Sequence, residues 1–170
     1  MEDVKKILAE EIDALRKRII ANIQASGEVA SGRTMDSLRV EANEQEGILW
    51  GRKAFGTLET GRKGGKIPAG FVLTLSEWIK NKRIPVSPMP YKRKPSEKWK
   101  PKYSPQERGY MSFAGALAHT IKTKGTSLYR SGGRSDIYSN EIPITIENIS
   151  NRILKSFETE VEHININASK

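Results

Sequence analysis

Residues 37–51 read SLRVEANEQEGILWG. Leu38, Val40 and Ala42 alternate with Arg39 and Glu41, the period-two pattern of a strand with one face on a core. Asn43 to Gly47 has the composition of a turn. Ile48, Leu49 and Trp50 make a return strand, closed by Gly51. An antiparallel hairpin is expected here, and its flanks decide the fold class.

On its N-terminal side, Val4, Leu8, Ile12, Leu15, Ile19 and Ile23 recur three and four residues apart, with Ile7 and Ile20 beside them. That spacing predicts an amphipathic helix over 3–25. Acids lead and Arg16, Lys17 and Arg18 follow, an order that suits the helix dipole. Ser26-Gly27 ends it. At the other end of the chain, Ile146, Ile149, Ile153, Phe157, Val161 and Ile164 form a second stripe, predicting a long helix over about 143–163. The run Ile164-Asn165-Ile166 suits a short edge strand. Long amphipathic N- and C-terminal helices packed on a small antiparallel sheet predict an α+β fold. A length of 170 residues suits a single domain, 1–170.

Between these elements lie two more helices and two glycine loops. Pro68 suits the first turn of a helix over about 68–82, with Phe71, Leu75, Trp78 and Ile79 on one face. Pro85 stops it. Tyr110, Phe113, Leu117 and Ile121 predict a helix over 109–124, where small residues at 114–116 and 118 permit close packing. The segment 84–107 holds too many prolines for helix or inner strand and is expected to be an extended basic arm. The loops are FGTLETGRKGGKIP (55–68) and GTSLYRSGGRSDIYS (125–139).

The first loop has the look of a phosphate-binding loop and fails its pattern. With Gly65-Lys66 as the GK pair, the first glycine of G-x-x-x-x-G-K-[ST] falls on Thr60, and the hydroxyl position on Ile67. Its glycines instead suit tight turns with positive φ. His119 and His163 stand far apart, each without a histidine or carboxylate four residues away. No zinc, EF-hand or G-x-S-x-G pattern occurs, and cysteine is absent. No catalytic, cofactor-binding or metal-ligating residues are expected. Nor does any run of apolar residues reach membrane-spanning length, and the acidic N-terminus MEDVKKILAEEID lacks the form of a signal peptide. Synthesis inside the cell fits.

The net charge of +9 is concentrated. Residues 80–102 hold nine Lys/Arg and one acid, Glu97, giving +8. Such a patch attracts nucleic acid, acidic membranes or an acidic protein surface. Lysines interleaved with Tyr91, Trp99 and Tyr103 would hold phosphates while rings stack on bases, so a basic nucleic-acid-binding module is one reading. No recognised nucleic-acid motif accompanies them. The same side chains on an extended segment would also wrap a neighbouring subunit, since Tyr, Trp and Arg are favoured interface anchors.

A resemblance adds to this. Gly32, Thr34, Ser37, Leu38 and Val40 fit the pattern G-x-[ST]-x-x-S-[IL]-x-[VI], and Leu58-Glu59-Thr-Gly61 fits the [VL]-E-x-G of a motif aromatic-x-x-x-[VL]-E-x-G, with Phe55 as its aromatic one residue nearer. The stretch 32–68 thereby resembles the head–tail connector and tail-completion proteins of tailed bacteriophages. Residues 125–142 look like the variant in the neck rings of crAss-like phages. The resemblance covers roughly half the chain, and the short members of the family lack the basic segment at 84–107. It implies a non-catalytic virion protein of the neck, made in the host bacterial cytoplasm. It would assemble as a homo-oligomeric ring of about twelve copies, joined through two different complementary surfaces. Its partners would be the portal and other neck or tail proteins, with DNA crossing the channel without sequence-specific binding and no membrane contact. The contact residues expected on this reading are Tyr91, Arg93, Trp99 and Tyr103 on the arm, and Arg62, Lys63, Lys66, Tyr129, Arg130 and Arg134 in the two loops.

Overall fold

The computed structural model describes residues 3–27, 29–92 and 100–168. The fold is mixed: seven helices and one two-stranded antiparallel sheet among those residues. The chain forms two compact units, one from Met1–Glu59 with Arg134–Lys170, the other from Thr60–Gly133.

The first unit is built on α1 (Val4–Ala25). The Asp3 side chain caps it by accepting from the Lys5 amide at 3.0 Å, which satisfies an amide that has no partner inside the helix. The short α2 (Arg33–Asp36) follows. It leads into the hairpin of β1 (Arg39–Ala42) and β2 (Gly47–Trp50), paired with Arg39 opposite Trp50 and Val40 opposite Leu49. Asn43 makes the turn: its side-chain oxygen accepts from the amides of Gln45 (2.8 Å) and Glu46 (2.9 Å), so the side chain does the work of a backbone turn. Ile12, Leu15, Ile19 and Ile23 of α1 meet Leu38 and Ile137 in the buried core, with Val40 and Leu49 of the hairpin packed against it. The period-two reading of residues 38–42 is thus the true one: the alternate apolar residues face α1.

The long helix α7 (Glu141–Ala168) packs along α1. It begins at 141 rather than 143 and stays helical through Ala168, so the short strand expected at 164–166 does not form. The pattern Ile-Asn-Ile fits period two, but three residues do not outweigh a helix already propagating, where each added residue gains a hydrogen bond at low entropic cost.

The second unit pairs α4 (Phe71–Asn81) with α5 (Pro105–Lys124), and the short α6 (Ser127–Arg130) lies within the second glycine loop. α4 starts at Phe71 rather than at Pro68. Pro68 instead lies in the turn before the helix, its carbonyl accepting from the Phe71 amide. Ser76 and Ile79 of α4 and Ala114, Ala118 and Ile121 of α5 are buried, the small residues allowing close approach.

The expected arm at 84–107 needs correction at its C-terminal end. Residues 105–107 are the first turn of α5, not extended chain. Ser104 accepts from the Glu107 amide while the Glu107 side chain accepts from the Ser104 amide, and Pro105 occupies the first helical position. Residues 84–91 have no regular structure. They are nonetheless fastened to α5: Gln106 donates to the Val86 carbonyl (2.9 Å), Met89 to that of Pro105 (2.8 Å), and Arg108 to those of Met89 (3.1 Å) and Pro90 (2.9 Å). Gly109 permits this, because a Cβ there would sit 2.3 Å from the Ser87 carbonyl oxygen. Among the described residues no helix is long and apolar enough to cross a membrane.

Candidate functional site

The motif Phe55-Gly-Thr-Leu-Glu-Thr-Gly spans α3 (Thr57–Thr60) and does structural work at each of its marked positions. The Phe55 ring lies against that of Tyr138, with centroids 4.9 Å apart. Leu58 packs on the core. Glu59 is buried, only 2% exposed. Its Oε1 accepts from three consecutive amides, Ile137 (2.8 Å), Tyr138 (2.6 Å) and Ser139 (3.0 Å), while Oε2 accepts from the Ser139 hydroxyl. Consecutive amides turned to one point make a nest for an anion, and here the anion is the protein's own carboxylate. Burial pushes the Glu59 carboxyl up, but the Ser139 hydroxyl and the three amides together outweigh it and hold the group below the usual carboxylate range. Burial, and then the Glu59 charge, push the Tyr138 phenol up. Gly61 holds φ at +66°, and a Cβ there would lie 2.4 Å from the Tyr129 amide nitrogen.

The expected contact residues fall into three groups. Arg62 is tied within the second unit: it donates from its amide to the Thr126 hydroxyl (2.9 Å) and from its guanidinium to the Lys66 carbonyl (2.9 Å), and it stands 5.0 Å over the Phe71 ring. Tyr129 lies in the same cluster, its amide donating to the Thr126 hydroxyl at 3.3 Å. Lys63, Lys66 and Arg130 project into solvent. Arg134 belongs to the first unit, where it grips Asp136 with two bonds of 2.6 Å. Tyr91 and Tyr103 are brought together: the Tyr91 hydroxyl donates to the Tyr103 carbonyl (3.0 Å), and the Arg108 guanidinium stacks 3.9 Å over the Tyr91 ring. Arg93 and Trp99 lie outside the described residues, as do the side chains of Ile164 and His163.

Sequence reasoning missed which way α7 faces. Of the expected stripe, Ile149 packs against the core and Ile153 is half-buried, while Ile146, Phe157 and Val161 turn outward; with Ile142 and Leu154 beside them these form an outward apolar stripe, each residue 44–60% exposed. Apart from Ile149, which packs on the core, the face toward α1 is polar. Arg18 donates to Glu141 (2.7 Å) and to the Thr145 hydroxyl (2.7 Å), Asn22 donates to Glu141 (3.3 Å), and Arg152 bridges Glu10 (2.7 Å) and Glu11 (3.0 Å). The signal was present in Thr145, Asn148, Arg152 and Ser156, which recur at spacings of three and four and trace a second stripe beside the apolar one.

Charge divides between the units. Thr60–Gly133 carries 16 Lys/Arg against three acids, net +13, and the remaining residues carry 13 against 17, net −4. Among the described residues, no three or more His, Asp or Glu side chains gather as a metal site would require. No known family model, curated protein or solved structure matches the chain.

Proposed function

We propose that the chain is a non-catalytic structural subunit of a tailed-phage neck, assembling into a closed ring that joins portal to tail and leaves a channel for DNA. The observation that carries the reading is the buried Glu59 with its three amide donors. The residues on which the resemblance rests are ones this fold needs: an aromatic for Tyr138, an apolar residue for the core, a carboxylate for the amide nest and a glycine at positive φ. A motif with such roles in the fold supports a shared scaffold. The opposed charge of the two units supports assembly, since a ring joins two unlike surfaces of each copy. Cryo-EM of purified virions, with this chain tagged, tests it. Density for the tag in a ring beneath the portal is the expected result, and absence of the chain from virions would overturn the proposal.

The net +13 of Thr60–Gly133 favours one second reading, a nucleic-acid-binding module. That reading requires duplex or single-strand affinity that falls steeply with salt. Fluorescence anisotropy with labelled DNA, titrated in salt, decides it: no binding at low salt removes the module.

A further inference from the structure

We infer that the outward apolar stripe of α7 is one half of a subunit interface, and that its occupant is the basic Thr60–Gly133 unit of a second copy of this chain. The inference rests on the ring reading and deepens it by naming the two unlike surfaces.

Three observations carry it. The first is the packing of α7, which buries Ile149 against the core but leaves much of its apolar side outward. Its polar side is satisfied inside the molecule by Arg18, Asn22 and the Arg152 bridges, while Ile142, Ile146, Leu154, Phe157 and Val161 face water. An amphipathic helix on a monomer normally buries most of its apolar stripe. The second is area. These five side chains expose on the order of 500 Å² on one helix, the size of the larger functional patches and a major part of the ~800 Å² that one partner contributes to a standard interface. The third is charge. Exposed Glu147, Glu158 and Glu162 border or follow the stripe, with Glu158 four residues beyond Leu154 and so on its side of the helix. A second α7 would bring the same acids against one another. The Thr60–Gly133 unit offers the complement: net +13, with Leu73, Trp78 and Phe113 exposed among its lysines. Such a contact uses α7 of one copy and the basic unit of the next, leaving one of each surface free at either end. It therefore propagates, and closes when the rotation per copy allows.

The test uses the full chain. A photo-crosslinking residue is placed at position 157, and unlabelled protein is mixed with ¹⁵N-labelled protein so that crosslinks between copies are recognised by mass. Crosslinks from 157 into residues 60–133 of the other copy are expected. In parallel, Phe157→Glu/Val161→Glu should raise the dissociation constant of the assembly at least tenfold, read by mass photometry. Both positions are exposed, so helix content by circular dichroism should not change. Crosslinks from 157 to another α7 would overturn the inference. So would an assembly unaffected by the double substitution, and in either case the ring reading would survive. A wild-type chain that stays monomeric at every concentration and salt would overturn both.

Discussion

Glu59 sets the behaviour of residues 134–139. Three amides and one hydroxyl converge on its carboxylate, and the Arg134 amide donates to the Glu59 carbonyl at 2.9 Å. Glu59→Ala would leave these donors buried and unpaired. At roughly 1–3 kcal/mol for each of the three amides left unpaired, the loss should be at least about 3 kcal/mol, read from urea unfolding. Glu59→Gln keeps an acceptor for the amides and gives up the charge, so a smaller loss of about 1–2 kcal/mol is expected. The pH dependence follows from the lowered pKa. Unfolded, the group titrates near 4.5; folded, it titrates lower. Its contribution is therefore complete above about pH 4.5 and is lost as pH falls through the folded value. Urea midpoints measured downward from about pH 5 should fall more steeply for the wild type than for Glu59→Gln. Parallel curves would show that the carboxylate charge contributes nothing.

At the scale of elements, the cap of α5 gives a second expectation. Ser104→Ala removes the acceptor for the Glu107 amide, and such caps are worth about 1 kcal/mol. A thermal melt should show that loss, and an unchanged melting temperature would mean that contacts to residues 86–90 alone hold the first turn. The capping box was missed although Ser104-Pro105-Gln106-Glu107 has its spacing, because the proline count of the preceding segment drew residues 105–107 into the extended arm. The hairpin was legible because alternation and turn chemistry agree at Asn43. α1 was legible because its apolar stripe is its buried face. α7 was legible as a helix and not as a surface. Periodicity reports that one face differs from the other, but not which one meets the rest of the chain. That choice is made by Arg18 and Arg152, whose partners lie 123–142 residues away in sequence, so the polar stripe of α7 shows in the sequence while what it meets does not. The nest around Glu59 was hidden for the same reason, since its donors lie 78–80 residues further on.

At the scale of the whole molecule, the order of segments matters more than any single contact. The first unit is interrupted: the chain leaves it after Glu59 and returns at Arg134. Those two residues are joined directly, the Arg134 amide to the Glu59 carbonyl, while the Glu59 side chain holds the next turn. The core of this unit draws on α1, Leu38, the hairpin and Ile137, none of which lies in the excised segment. A domain inserted between two points already in contact can be removed without stretching the chain that remains. Replacing Thr60–Gly133 by a short Gly/Ser linker should therefore leave a folded unit, with helix content from α1 and α7, a cooperative thermal transition and dispersed amide resonances. The shortened chain would carry the net −4 residues and the apolar stripe of α7 without the basic segment. It should stay unassembled by itself and bind the full-length chain, capping its growth at one end. A shortened chain that is unfolded would show that Thr60–Gly133 contributes to the first core. One that self-assembles as the full chain does would remove the basic segment from the interface.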